Sequence, residues 1–181
     1  LKLICICATG TNNVDLPAAK AQGITVCNVS GYARASVAQH NLMLMLTLAT
    51  HCVQYDAAVK QGEWSAARQF CLLDYPIMEL AGKTLGIIGF GDLGRETARL
   101  AEAFGMEIAV AQSFSGASHE GRLTLKELLP RADVLSLHCP LTAQTEKLVN
   151  AAFLAQMKAG ALLINTARGG LIDESALADA L

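Results

Sequence analysis

Charge is scarce in this sequence: 17% of its 181 residues are charged, and the balance is only −2. No basic face therefore invites nucleic acid, and no polybasic run suits an anionic membrane surface. Long apolar runs are missing too. The longest, residues 42–49, is too short to span a bilayer and contains Thr47. The N-terminus lacks the charged-then-apolar layout of a secretory signal, and it opens in what reads as mid-strand. Internal repeats and low-complexity segments are absent. Cys5, Cys7, Cys27, Cys52, Cys71 and Cys139 form no CxxC pair and no Cys/His spacing that suits zinc. Cys5 and Cys7 share one face of a strand and cannot easily bridge. The expectation is reduced, mostly buried thiols in a cytoplasmic protein.

Hydrophobic residues, by contrast, make up 52% of the chain. That is the composition of a buried α/β sheet, and it argues against disorder. The organising stretch is Leu85-Gly86-Ile87-Ile88-Gly89-Phe90-Gly91-Asp92-Leu93-Gly94. Residues 85–88 read as a buried parallel strand. The G-x-G-x-x-G turn of Gly89, Gly91 and Gly94 follows, and then Thr97, Ala98, Leu100, Ala101 and Phe104 recur at helical spacing. Strand, glycine turn and helix in that order point to dinucleotide binding rather than to an ordinary glycine-rich turn. Gly89 permits the tight turn, Gly91 lets backbone approach a pyrophosphate, and Gly94 lets the helix pack on the strand. The helix N-terminus offers unpaired N–H groups to the phosphates.

In chain order, residues 3–8 and 24–29 read as strands around a short helix at 16–22, with Asp15 as N-cap and Pro17 in the first turn. This βαβ unit is too small to bury its own faces. Residues 36–60 read as one long helix with Val37, Leu44 and Leu48 on a core face, and Met43, Met45 and Leu46 make it apolar most of the way round. Such a helix is either a central packing element or an interface between domains or subunits. Residues 65–79 read as a loop. Further strands are expected at 106–111, 134–138 and 161–165, with helices at 125–129, 145–157 and from 174 onward. Strands alternating with helices mean a doubly wound parallel sheet of the Rossmann type.

An acid that holds the adenosine ribose is expected about 20 residues beyond the glycines. Gln112 stands there, followed by Ser113 and Ser115. A neutral side chain removes the repulsion that would reject a 2′-phosphate. The nearest arginine is Arg122, so both NAD and NADP stay open. A second constellation, Asn165-Thr166-Ala167-Arg168-Gly169-Gly170, follows a strand and so lies at the carboxyl edge of the sheet, where ligands bind. An arginine there can hold a carboxylate and polarise a neighbouring carbonyl, or it can be a surface arginine on a glycine loop.

These motifs, with Ala8-Thr9-Gly10-Thr11-Asn12-Asn13-Val14-Asp15, Ser36-Val37-Ala38-Gln39-His40 and Leu137-His138-Cys139-Pro140-Leu141-Thr142, make the chain resemble the D-isomer-specific 2-hydroxyacid dehydrogenases. The resemblance is strongest to the glycerate dehydrogenase/hydroxypyruvate reductase branch, through Phe70-Cys71-Leu72-Leu73-Asp74-Tyr75-Pro76-Ile77. It implies two α/β domains, with residues 1–31 part of a flavodoxin-like substrate domain and 32–181 most of the dinucleotide domain. It implies that Arg168 holds the carboxylate and carbonyl of a small 2-oxo or 2-hydroxy acid, together with backbone of Thr9 and Gly10. Asp92 and Leu93 would contact the pyrophosphate, Gln112 and Cys139 the adenosine and ribose, and Thr166, Ala167 and Arg168 the nicotinamide side. It also implies a homodimer formed through the long helix. The general acid/base of that family is a histidine further along than residue 181, oriented by a glutamate also beyond it. His40, His51, His119 and His138 do not match its context, so the chain reads as a fragment, inactive by itself. A nucleotide-binding sensor without catalysis is the rival reading, and a formate- or phosphite-type dehydrogenase a third.

Overall fold

The computed structural model describes residues 1–114 and 120–181. The chain divides into two compact units, Leu1–Arg34 and Ala35–Leu181, a little beyond the expected boundary after residue 31.

The first unit is β1 (Leu3–Ile6), α1 (Leu16–Ala21) and β2 (Thr25–Asn28), with the two strands parallel and Cys5 level with Cys27. Asp15 caps α1 by accepting from the Ala18 backbone N–H, and Pro17 sits in the first turn. Most of the unit's strand residues stay exposed. Cys5, Cys7, Cys27 and Cys52 are exposed as well, Cys71 is half-buried and Cys139 alone is buried. The expectation of mostly buried thiols therefore fails. For Cys5, Cys7 and Cys27 the reason is that a two-stranded sheet with one short helix has too little apolar surface to cover both faces.

The second unit carries the sheet in the order β4-β3-β5-β6, all parallel: β3 (Thr84–Ile88), β4 (Glu107–Val110), β5 (Val134–Leu137) and β6 (Leu162–Asn165). Side chains alternate between two cores. Leu85, Ile87, Val134 and Ile164 pack against α2 (Arg34–Thr50) and α5 (Asp92–Ala103). Ile88, Leu135 and Leu137 pack against α6 (Leu125–Leu128) and α7 (Ala151–Leu154). The chain runs from β3 to β4 on one side and then crosses to β5 on the other, so the strand order reverses at the carboxyl end of β3. Ligands bind at such a switch point in open α/β sheets.

The expected helix over 36–60 is two helices. α2 ends at Thr50 and α3 (Cys52–Lys60) leaves it at 63°, because His51 adopts the left-handed conformation at φ 49°. Tyr75 stacks on the His51 ring at 5.9 Å and accepts a hydrogen bond from the Tyr55 hydroxyl at 2.8 Å, which fixes the bend. The buried face of α2 is Ala38, Leu42, Met45 and Ala49 rather than Val37, Leu44 and Leu48, and Leu48 is exposed. Among the described residues no single helix is long and apolar enough to cross a membrane. A short α4 (Glu63–Ala66) precedes the irregular stretch before β3.

The helix expected at 145–157 shrinks to α7, capped by Asn150. Tertiary pairing takes the rest: Val149 bridges to Ile172, and the Lys147 N–H donates to the Gly170 carbonyl. A short 3-10 turn, Gly169–Leu171, then leads into α8 (Glu174–Ala180), capped by Asp173.

Candidate active site

Each glycine of the turn has its own reason. Gly89 sits at φ +95°, and a Cβ there would overlap the backbone of His138 and Cys139 at the end of β5. A Cβ on Gly94 would overlap the Gly89 carbonyl oxygen and lie 3.3 Å from Ile87 Cγ2, so it serves both the turn and the packing of α5. Gly91 is different. Its φ of −81° suits any residue, and a Cβ on it meets nothing within 4 Å. Among the described residues nothing requires glycine there, so the cleared space fits a group from outside, such as a pyrophosphate. Gly91 also caps α5 without a side-chain hydrogen bond. The N–H groups of the first turn, at Asp92 and Leu93, are then available to an anion. The Asp92 carboxylate is held by Arg95 at 3.0 Å.

Beside the turn lies a cavity of about 190 Å³ lined by Phe90, Gln112, Ser113, Arg122, Cys139 and Thr145, among others. Its wall is fixed by Thr145, which is buried; its hydroxyl donates to the Pro140 carbonyl at 2.7 Å and accepts from the Thr142 N–H at 2.8 Å. Burial pushes the Cys139 thiol up from its ordinary pKa, so it acts as a neutral wall. Gln112 and Cys139 thus line one cavity. Ser115 and His119 lie outside the described residues.

A second cavity, of about 480 Å³, opens at the carboxyl end of β6 and is lined by Thr166, Ala167, Arg168, His40 and Val37, among others. The sequence does not reveal why Arg168 stands there: Asn165 folds the loop around its own side chain. Its Nδ2 donates to the Arg168 carbonyl at 2.8 Å and its Oδ1 accepts from the Ala167 N–H at 3.0 Å. The Arg168 guanidinium is half-buried and donates from Nη1 to the Ala167 carbonyl at 2.8 Å. His40, expected on a packing or surface face, is exposed on the wall of this cavity. Thr9 and Gly10 lie after β1 in the first unit, where the Thr9 hydroxyl donates to the Val29 carbonyl at 2.9 Å.

Sequence reasoning missed a buried polar chain beneath the second cavity. Asn41 and Ser136 are both fully buried. Asn41 Nδ2 donates to Ser136 Oγ at 2.7 Å and to Thr166 Oγ1 at 3.4 Å, while Ser136 Oγ lies 2.9 Å from His138 Nε2. An amide N–H can only donate, so Ser136 Oγ accepts from it and makes a second hydrogen bond with His138 Nε2. The one available signal was a lone Asn among Leu and Met at position 41.

Burial lowers the His138 pKa from 6.5 to about 4. Below pH 6.5 the unfolded chain therefore binds a proton that the folded chain refuses. Stability is fully present above pH 6.5 and falls as pH drops toward 4. At about 1.4 kcal/mol per pH unit the loss is about 3 kcal/mol. Urea denaturation of the protein from pH 7 to 4 should show this slope in the wild type. His138→Gln, which keeps a hydrogen-bonding partner for Ser136, should flatten it by that amount; an unchanged slope would refute the assignment.

A glycine cradle at the switch point of a doubly wound sheet, with an arginine loop on the same edge, defines a nucleotide-binding α/β domain. Residues 42–181 match the family described as D-isomer specific 2-hydroxyacid dehydrogenase, NAD binding domain, and the chain belongs to that family. It is 49% identical to a glycerate dehydrogenase of Methylorubrum extorquens, over 100% of this chain and 57% of that protein. It is 39% identical to a hydroxypyruvate reductase of Blautia hydrogenotrophica, over 100% of this chain and 58% of that protein. A D-lactate dehydrogenase from Aquifex aeolicus, solved with NAD and lactic acid, superposes with a TM-score of 0.86 at 34% identity, over 99% of this chain and 54% of that one. The chain thus spans little more than half the length of these relatives, as the sequence resemblance implied.

Proposed function

We propose that the protein carrying this chain reduces a small 2-oxo acid, hydroxypyruvate or glyoxylate, to the D-2-hydroxy acid with NAD(P)H. The observation that carries the reading is Arg168, held by Asn165 on the wall of a cavity at the carboxyl edge of the sheet that bears the glycine cradle. The glycerate dehydrogenase and hydroxypyruvate reductase names of its relatives support the substrate class.

Gly89, Gly91, Gly94 and the N–H groups of Asp92 and Leu93 would hold the pyrophosphate, Gln112 and Cys139 the adenosine side, and Thr166 and Ala167 the nicotinamide side. The dinucleotide, when bound, supplies a hydride to the carbonyl carbon. Arg168 grips the substrate carboxylate. It also draws charge onto the carbonyl oxygen as it becomes an alkoxide. A general acid would protonate that oxygen. His138 is unsuited to the task because its ring is buried and held neutral.

A homodimer is proposed on the same reading, supported by Met43 and Leu48 standing exposed on α2. A cytoplasmic setting is proposed as well, supported by six free cysteines. The test is direct. The full-length protein should oxidise NADH or NADPH with hydroxypyruvate or glyoxylate, and dinucleotide binding without turnover of any small 2-oxo acid would leave only a binding module.

A further inference from the structure

The mouth of the adenosine-side cavity carries a cation that a plain ribose gives no use for. Gln112, exposed and neutral, stands two residues beyond the end of β4. Arg122 returns to the same cavity, and the backbone fixes it there. Ala111 bridges in parallel to Leu123, the Gln112 N–H donates to the Leu123 carbonyl at 2.8 Å, and the Leu123 N–H donates to the Val110 carbonyl at 2.9 Å. Leu123 is therefore an extra rung beside β4, and Arg122 is the residue just before that rung. Its guanidinium carbon lies 5.9 Å from the ring centre of Phe90, the residue between Gly89 and Gly91. Among the described residues no carboxylate pairs with it. The aromatic face steadies the guanidinium without neutralising it.

A ribose diol is neutral and is usually gripped by an acid, which accepts both hydroxyl hydrogens. Gln112 can neither match that acid nor repel an anion. A 2′-phosphate, by contrast, offers the geometry and charge that a guanidinium fork recognises. We infer that this cavity takes a 2′-phosphorylated adenosine, so that the protein prefers NADPH to NADH, with Arg122 as the specificity-determining side chain. The inference deepens the dinucleotide reading above and rests on it.

The experiment measures dissociation constants of the full-length protein for NADPH and NADH by nicotinamide fluorescence, with adenosine 2′,5′-bisphosphate and AMP as competitors. NADPH should bind roughly tenfold or more tighter than NADH, and the bisphosphate should outcompete AMP. Arg122→Ala should bring both ratios toward one, and Arg122→Lys should recover part of the preference. Gln112→Glu should turn the preference to NADH by setting a carboxylate against the phosphate. If Arg122→Ala weakens both dinucleotides in parallel, the side chain only shapes the cavity and the inference falls. If the wild type binds NADH the tighter, the inference falls while the dehydrogenase reading stands. If neither dinucleotide binds, both fall together.

Discussion

Replacing Arg168 by Ala in the full-length protein should lower kcat/KM for hydroxypyruvate by roughly 10³- to 10⁴-fold. The figure comes from two losses. One is the grip on the substrate carboxylate, a charge-assisted pair worth roughly 2 kcal/mol or more. The other is stabilisation of the developing alkoxide, where removing a single donor costs roughly 10²- to 10³-fold. Arg168→Lys should recover only a small part, since an ammonium cannot span carboxylate and carbonyl as a planar fork can. The loop should survive the change, because Asn165 closes it through backbone atoms of Ala167 and Arg168 rather than through the guanidinium. The same kinetics on Asn165→Ala therefore separate holding the loop from doing the chemistry. That variant should raise KM and lower kcat with the guanidinium still present. A variant without Arg168 that keeps wild-type kcat/KM would refute the role given to it.

The parts of this fold legible in the sequence are those set by local rules. Strand β3, its glycine turn and α5 follow from a short apolar run, three glycines and a helical repeat, and Asp15 follows from capping chemistry. The parts that escaped are set by contacts distant in sequence. His51 bends the α2–α3 segment with neither Gly nor Pro to announce it, and the stack on Tyr75 that accompanies the bend lies in another part of the chain. Residues 145–150 carry a helical pattern, yet pairing with the stretch around Gly170 and Leu171 draws them out of it. The site shows the same divide. Arg168 and Gln112 are visible because their place relative to a strand end is their signal. The Asn41–Ser136–His138 chain is not, because it joins α2 to β5 across the first core. Arg122 was legible only as the nearest arginine, and it took the Ala111–Leu123 bridge to bring it to the cavity.

The glycine turn gives the sharpest contrast available in this molecule, since two of its glycines should fail in opposite ways. Gly89→Ala should damage the fold. A side chain at φ +95° costs about 1–2 kcal/mol from the left-handed backbone alone, and its Cβ would enter the backbone of Cys139. Backbone cannot step aside as a side-chain tip can, so the total should reach about 3 kcal/mol or more. For a domain of this size that is a fall in Tm of roughly 6–12 °C. Gly91→Ala should leave Tm within about 2 °C, because its backbone angles are ordinary and its Cβ meets open space. It should instead weaken dinucleotide binding by roughly 10- to 100-fold, equivalent to about 1.4–2.8 kcal/mol, by pushing the pyrophosphate off the helix N-terminus. Thermal melts and fluorescence titrations of the two variants give four numbers, and the assignment requires them to cross. Were Gly91→Ala to bind dinucleotide as the wild type does, the space above Gly91 would not be the pyrophosphate site.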